Sequence, residues 1–79
     1  MNLIKYKERE GFSYYWVNAN NVLVKFTDEY NFRSIEDAMI MLSRNLVYEV
    51  MNPLGQKYVD DHFVGTEKDL RKQYPEYFI

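Results

Sequence analysis

The chain has 79 residues, is 47% hydrophobic and 18% aromatic, and contains no cysteine. That length allows one domain with one core, and the aromatic content excludes a disordered chain, which stays unfolded for want of such residues. A net charge of −2 gives no bulk attraction to nucleic acid or anionic membrane, and no apolar run approaches the ~20 residues of a membrane span.

The absence of cysteine predicts a reducing, cytoplasmic setting, because small secreted domains compensate for thin cores with disulfides. "MNLIKYKERE" lacks the apolar run of a signal peptide. A domain this small buries only about 60% of its unfolded surface, so pairing as a homodimer would add stability. Asn, Lys, Tyr, Ile, Phe and Met make up 34 of the 79 residues; their A/T-rich codons suit a phage or mobile element.

In chain order, the first part reads as a three-stranded meander. "LIKYKER" (3–9) alternates, "FSYYWV" (12–17) is aromatic and β-branched, and "VLVKF" (22–26) is strand-like. Glu10-Gly11 offers a tight turn, and Asn18-Ala19-Asn20-Asn21 a second, since asparagine tolerates the left-handed region. In "FRSIEDAMIMLSRNL", Ser34 is a good N-cap, with Glu36 and Asp37 placed at the positive helix end. Ile35, Ala38, Met39, Leu42 and Leu46 form one stripe at helical spacing. The helix is expected to stop near Asn45, rather than to run on to Met51 and expose a second apolar face.

"LVYEVM" (46–51), a turn at "NPLG" (52–55) and "QKYVDDHFV" (56–64) then read as a second hairpin. Thr66 caps a short helix, "EKDLRKQ" (67–73), supported by Glu67 and Arg71 at i,i+4 and ended by Pro75. The apolar tail "EYFI" folds back on the body. The expected fold is α+β in the order β-β-β-α-β-β-α, a mainly antiparallel sheet with the main helix on one face.

Alternation assigns the strand sides. Phe12, Tyr14 and Trp16, together with Val22, Val24 and Phe26, and with Ile4 and Tyr6, are expected to meet the helix. In the second hairpin Leu46, Tyr48, Val50, Val59 and Phe63 point inward, and Glu49, Tyr58, Asp60 and His62 outward. That leaves an outer face of Leu3, Lys5, Lys7, Arg9, Tyr15, Val17, Leu23 and Lys25, basic and partly apolar. The charge distribution agrees: residues 1–26 carry four basic and two acidic side chains, residues 27–79 six basic and ten acidic.

Catalytic signatures are missing. His62 is the only histidine, and with Asp60 it falls short of the three or four ligands a metal site needs. No serine sits in a nucleophile elbow. Glu36-Asp37 and Asp60-Asp61 are adjacent and diverge. The three glycines are too far apart to cradle a phosphate. The expectation is a non-enzyme without cofactor or metal.

Two readings remain. Interfaces favour tyrosine, tryptophan, methionine and arginine, which predicts a protein-binding module, an adaptor or inhibitor, docking through Lys5, Lys7, Arg9, Tyr15, Val17, Leu23 and Lys25. The alternative is a nucleic-acid-binding module using the same three-stranded face, with aromatics stacking on bases and lysines meeting phosphates. In outline, "YYWVNANNVLVKF" followed by "FRSIEDA" resembles the AP2-like and integrase arm-type DNA-binding modules. That likeness spans under half the chain, on generic strand and capping residues. Against it stand the acidic total and the lack of a dense Arg/Lys cluster.

Overall fold

The computed structural model describes residues 1–26, 31–44 and 48–78, with only the backbone at Tyr48. Strands β1 (Asn2–Glu8), β2 (Gly11–Val17) and β3 (Val22–Phe26) precede helix α1 (Ile35–Arg44). Then come β4 (Tyr48–Pro53), helix α2 (Gln56–Asp61), β5 (Phe63–Thr66), helix α3 (Glu67–Gln73) and a 3-10 turn at Pro75–Tyr77. The domain is α+β, with one antiparallel five-stranded sheet in the order β4-β3-β2-β1-β5.

The second turn falls where its asparagines were expected to place it, and the first lies one residue earlier than the expected Glu10-Gly11. Arg9 and Glu10 form a two-residue loop closed by Glu8 opposite Gly11, and Gly11 takes φ +103°, open to glycine because it has no Cβ. At the second turn Asn18 Oδ1 accepts from the Asn20 and Val22 amides at 2.9 and 3.0 Å. Asn21 adopts φ +59°, a conformation asparagine tolerates.

α1 begins where Ser34 Oγ accepts the Asp37 amide at 3.1 Å. It ends at Arg44; the expected terminator Asn45 and stripe residue Leu46 lie outside the described residues. Ala38 and Met39 are buried against Leu3, Trp16, Val24, Phe26 and Phe32. The indole of Trp16 is fully buried and donates to Ala38 O at 2.8 Å, so the expected apposition of tryptophan and helix holds. α3 starts at the predicted cap, with Thr66 Oγ1 accepting the Asp69 amide at 3.1 Å and Arg71 pairing with Glu67 at 2.9 Å. Tyr77 and Phe78 fold back onto the same core.

Two expectations are corrected. Residues 46–64 are not a hairpin. β4 pairs with β3 and β5 with β1, at opposite edges of the sheet, so the link must cross a face. It crosses as α2, where a strand was expected. Gln56 bonds Asp60 at 2.8 Å and Lys57 bonds Asp61 at 2.7 Å, both at i,i+4, a spacing that supports a helix and does nothing for a strand. Asn52 and Pro53 stay in β4 rather than forming the turn; Pro53 sits opposite Val22 on an edge strand, where proline is tolerated.

The second correction concerns β1. Leu3 lies opposite Trp16, Ile4 opposite Tyr15, Lys5 opposite Tyr14 and Lys7 opposite Phe12. Leu3, Lys5 and Lys7 therefore share the α1 face with Trp16, whereas Ile4 and Tyr6 share the other face with Tyr15 and Val17. A two-residue loop always sets an odd position against an even one, which fixes this parity. The second face is covered too: Ile4, Val17 and Val59 of α2 form a second buried cluster, with Tyr15, Leu23 and Leu54 around it.

Candidate functional site

The seven residues expected to form one docking face are divided by the fold. Val17 is fully buried beneath α2. Tyr15 and Leu23 are half-buried around that cluster, and Lys25 is half-buried opposite Glu49 of β4. Lys5, Lys7 and Arg9 are exposed at the far end of the β1–β2 hairpin. Tyr15, Val17, Leu23 and Lys25 thus leave the candidate surface, because the face they share carries α2. The three cations remain.

What gathers around them was expected to be interior. Phe12, Tyr6 and Phe63 are 42, 43 and 47% exposed. With Lys5, Lys7, Asp61 and His62 they line a surface groove of about 300 Å3. α1 packs against Leu3 and Trp16, and α2 against Ile4 and Val17, whereas Tyr6, Phe12 and Phe63 belong to neither buried cluster.

The groove is organised by ring contacts. Lys5 Nζ stands 4.7 Å from the Phe12 ring centroid, a cation–π distance. His62 closes α2; its ring stacks on Tyr58 with centroids 4.2 Å apart and on Tyr6 at 5.9 Å. Its Nδ1 lies 2.7 Å from Tyr58 O, so the tautomer protonated there caps the helix. Burial pushes the Tyr58 hydroxyl pKa above its ordinary value, and the neighbouring Tyr6 adds to this.

The carboxylates nearby are already engaged. Glu8 accepts from Ser13 Oγ at 2.7 Å, and Asp61 holds Lys57. Lys7 has no ion pair among the described residues.

No set of three His, Cys, Asp or Glu groups converges as metal ligands among the described residues, and none of their helices is long and apolar enough to cross a membrane. A larger cavity, about 530 Å3, counts Phe32, Arg33, Asp37 and Met41 among its described lining residues; Arg33 and Asp37 are both exposed. Comparison with protein-family models, curated proteins and solved structures returned no match. The groove must therefore be judged on its own chemistry.

The sequence did contain a pointer to it. Phe12 and Phe63 lie at or next to the first residue of their strands. Alternation alone placed them inside because it says which side a residue faces, not how far along that side the cover extends.

Proposed function

We propose that this chain is a small non-enzymatic protein-binding module, of the adaptor or inhibitor type, that docks its partner through the tip of the β1–β2 hairpin. One observation carries the reading: three large apolar side chains, Tyr6, Phe12 and Phe63, stand exposed around a single groove with Lys5 and Lys7. Single exposed hydrophobes are ordinary, but a grouped set rimmed by polar residues marks an interaction site. Aromatic anchors beside cations are the composition of an interface centre. The cysteine-free, A/T-codon-rich composition fits a cytoplasmic protein of phage or mobile-element origin.

The nucleic-acid reading draws on the same lysines and rings. Against it stands α2, which occupies the three-stranded face that would serve as a stacking platform. The test is affinity capture from nuclease-treated lysate with the wild-type chain, the Phe12→Ala/Phe63→Ala double variant and Lys72→Ala as an off-site control. The expected result is a partner retained at raised salt, lost from the double variant and kept by the control. Equal capture by all three chains removes the hairpin tip as the site. Recovery that depends on nucleic acid and falls steeply with salt supports the alternative.

A further inference from the structure

β5 accompanies β1 only from Asn2 to Ile4. The last bond on that edge runs from the Lys5 amide to His62 O at 2.8 Å; upstream of His62 the chain departs into α2. Beyond this point no described residue pairs with the outer edge of β1. The direction of its backbone groups follows from the bonds present. Tyr14, opposite Lys5, exchanges both its amide and carbonyl with Phe32 on the far side of β2, at 2.8 and 2.9 Å. Lys5 and Tyr14 therefore form a pair whose backbone groups point away from each other. Two residues on in the same register, Lys7 likewise directs its N–H and C=O outward, where no described residue meets them.

That open edge borders the groove. Lys5, Lys7 and Phe12 lie on one side of the strand, Tyr6 on the other, and Phe63 and His62 stand where β5 stops. We propose, resting on the protein-binding reading above, that the partner supplies an extended segment which adds to the sheet as a short strand beside Lys5–Arg9, in line with β5. Its backbone exchanges two hydrogen bonds with Lys7. Alternate side chains on the Phe12 side are acidic and meet Lys5 and Lys7. Those between them are aromatic or aliphatic and pack on Tyr6 and the His62 ring.

Strand addition draws affinity from main-chain bonds and selectivity from alternating side chains, and both are offered here at one place. Charge complementarity sets the acidic side, since Asp61 pairs with Lys57 and Lys7 has no ion pair among the described residues. A nucleic-acid backbone fits this edge poorly. Its phosphates accept hydrogen bonds, whereas the Lys7 carbonyl needs a donor.

The experiment pans a displayed library of random dodecapeptides on the full chain, then measures the recovered peptides by fluorescence anisotropy. Enriched peptides are expected to alternate Asp or Glu with aromatic or aliphatic residues. Lys5→Glu/Lys7→Glu should weaken them roughly 30-fold or more, and Lys7→Gln by about 3–10-fold; the milder variant guards against misfolding of the first. In the complex, exchange of the Lys7 amide should slow at least about tenfold. Peptides without acidic residues, indifference to both variants, or an unprotected Lys7 amide overturn strand addition.

Peptides that bind but protect another surface overturn the edge site and leave the protein-binding reading standing. Recovery of no peptide, with binding of a dT12 oligonucleotide through the same lysines, sinks both; recovery of none without it sinks strand addition alone. A dimer by light scattering whose Lys7 amide is already protected assigns the edge to a second copy and overturns the proposal.

Discussion

Replacing Val59 with alanine tests whether α2 truly closes the second face, the point on which the choice of docking surface turns. Val59 is 2% exposed and packs with Ile4 and Val17. The substitution removes two carbons, worth about 0.8 kcal/mol each in transfer. Alanine returns roughly 0.5 kcal/mol through its better helix propensity, and a six-residue helix can settle to fill part of the gap. The expected net loss is about 1–1.5 kcal/mol.

Trp16 is the only tryptophan and is buried away from the change, so its emission reports unfolding in urea directly. With a slope of about 1 kcal/mol per molar for a chain this size, the midpoint should fall by roughly 1 M. Val50→Ala is the matched control: the same chemistry at a position 55% exposed should cost under about 0.5 kcal/mol. If Val59→Ala shifts the midpoint no more than Val50→Ala, α2 does not cover the face. The Tyr15, Val17, Leu23 and Lys25 surface would then return as a candidate for either class of partner.

Glycine substitutions should separate two roles. Gly11→Ala, at φ +103°, is expected to cost about 1–2 kcal/mol in thermal melts. Gly65→Ala, whose new methyl meets Leu70 at an ordinary 3.5 Å, should be neutral or stabilising by roughly 0.4–1 kcal/mol. Thr66→Ala removes the acceptor of the Asp69 amide and should lose about 1 kcal/mol, lowering the melting temperature by about 4–8 °C. Tyr58 titrates above its ordinary value in the folded chain, so its neutral form is favoured by folding. That contribution is complete below the unfolded tyrosine pKa of about 10 and is lost as pH rises through the folded value. In ultraviolet titration the Tyr58 phenol should move earlier in Tyr6→Phe; no change on that substitution contradicts the assigned neighbour.

Local chemistry was legible where a residue's job is settled by its nearest neighbours in sequence. Ser34 and Thr66 cap the helices expected of them, and the Asn18–Asn21 turn and the Glu67–Arg71 pair form as read. Trp16 and Met39 meet because a ten-residue stripe and an aromatic strand leave few other arrangements. The failures were non-local. Nothing between Leu46 and Val64 says that its two strands belong to opposite edges, and once a hairpin was assumed the i,i+4 spacing of Lys57 and Asp61 went unused. The faces of β1 were misassigned for a related reason. Leu3 and Ile4 are both buried, so a rule that seeks one apolar side found no contradiction in choosing Ile4, although any two-residue turn puts Leu3, not Ile4, on the Trp16 side.

The same topology explains why the surface that remains is where it is. A link from one sheet edge to the other must lie across a face, so α2 both closes the chain path and removes most of the expected docking surface. Its exit through His62 into a four-residue β5 then leaves the outer half of β1 with no partner strand among the described residues. Two features meet there: exposed aromatics that belong to neither buried cluster, and an edge that no described residue pairs, set by where β5 begins. Natural proteins commonly blunt an open edge with charge, and lysines in particular, so Lys5 and Lys7 alone could be defensive. Phe12, Tyr6 and Phe63 cannot serve that purpose, because grouped aromatic surface invites contact rather than deterring it. On the proposed reading, lysines keep indiscriminate strands away while aromatics reward one acidic, apolar segment, and that combination would separate a recognition site from a merely protected edge.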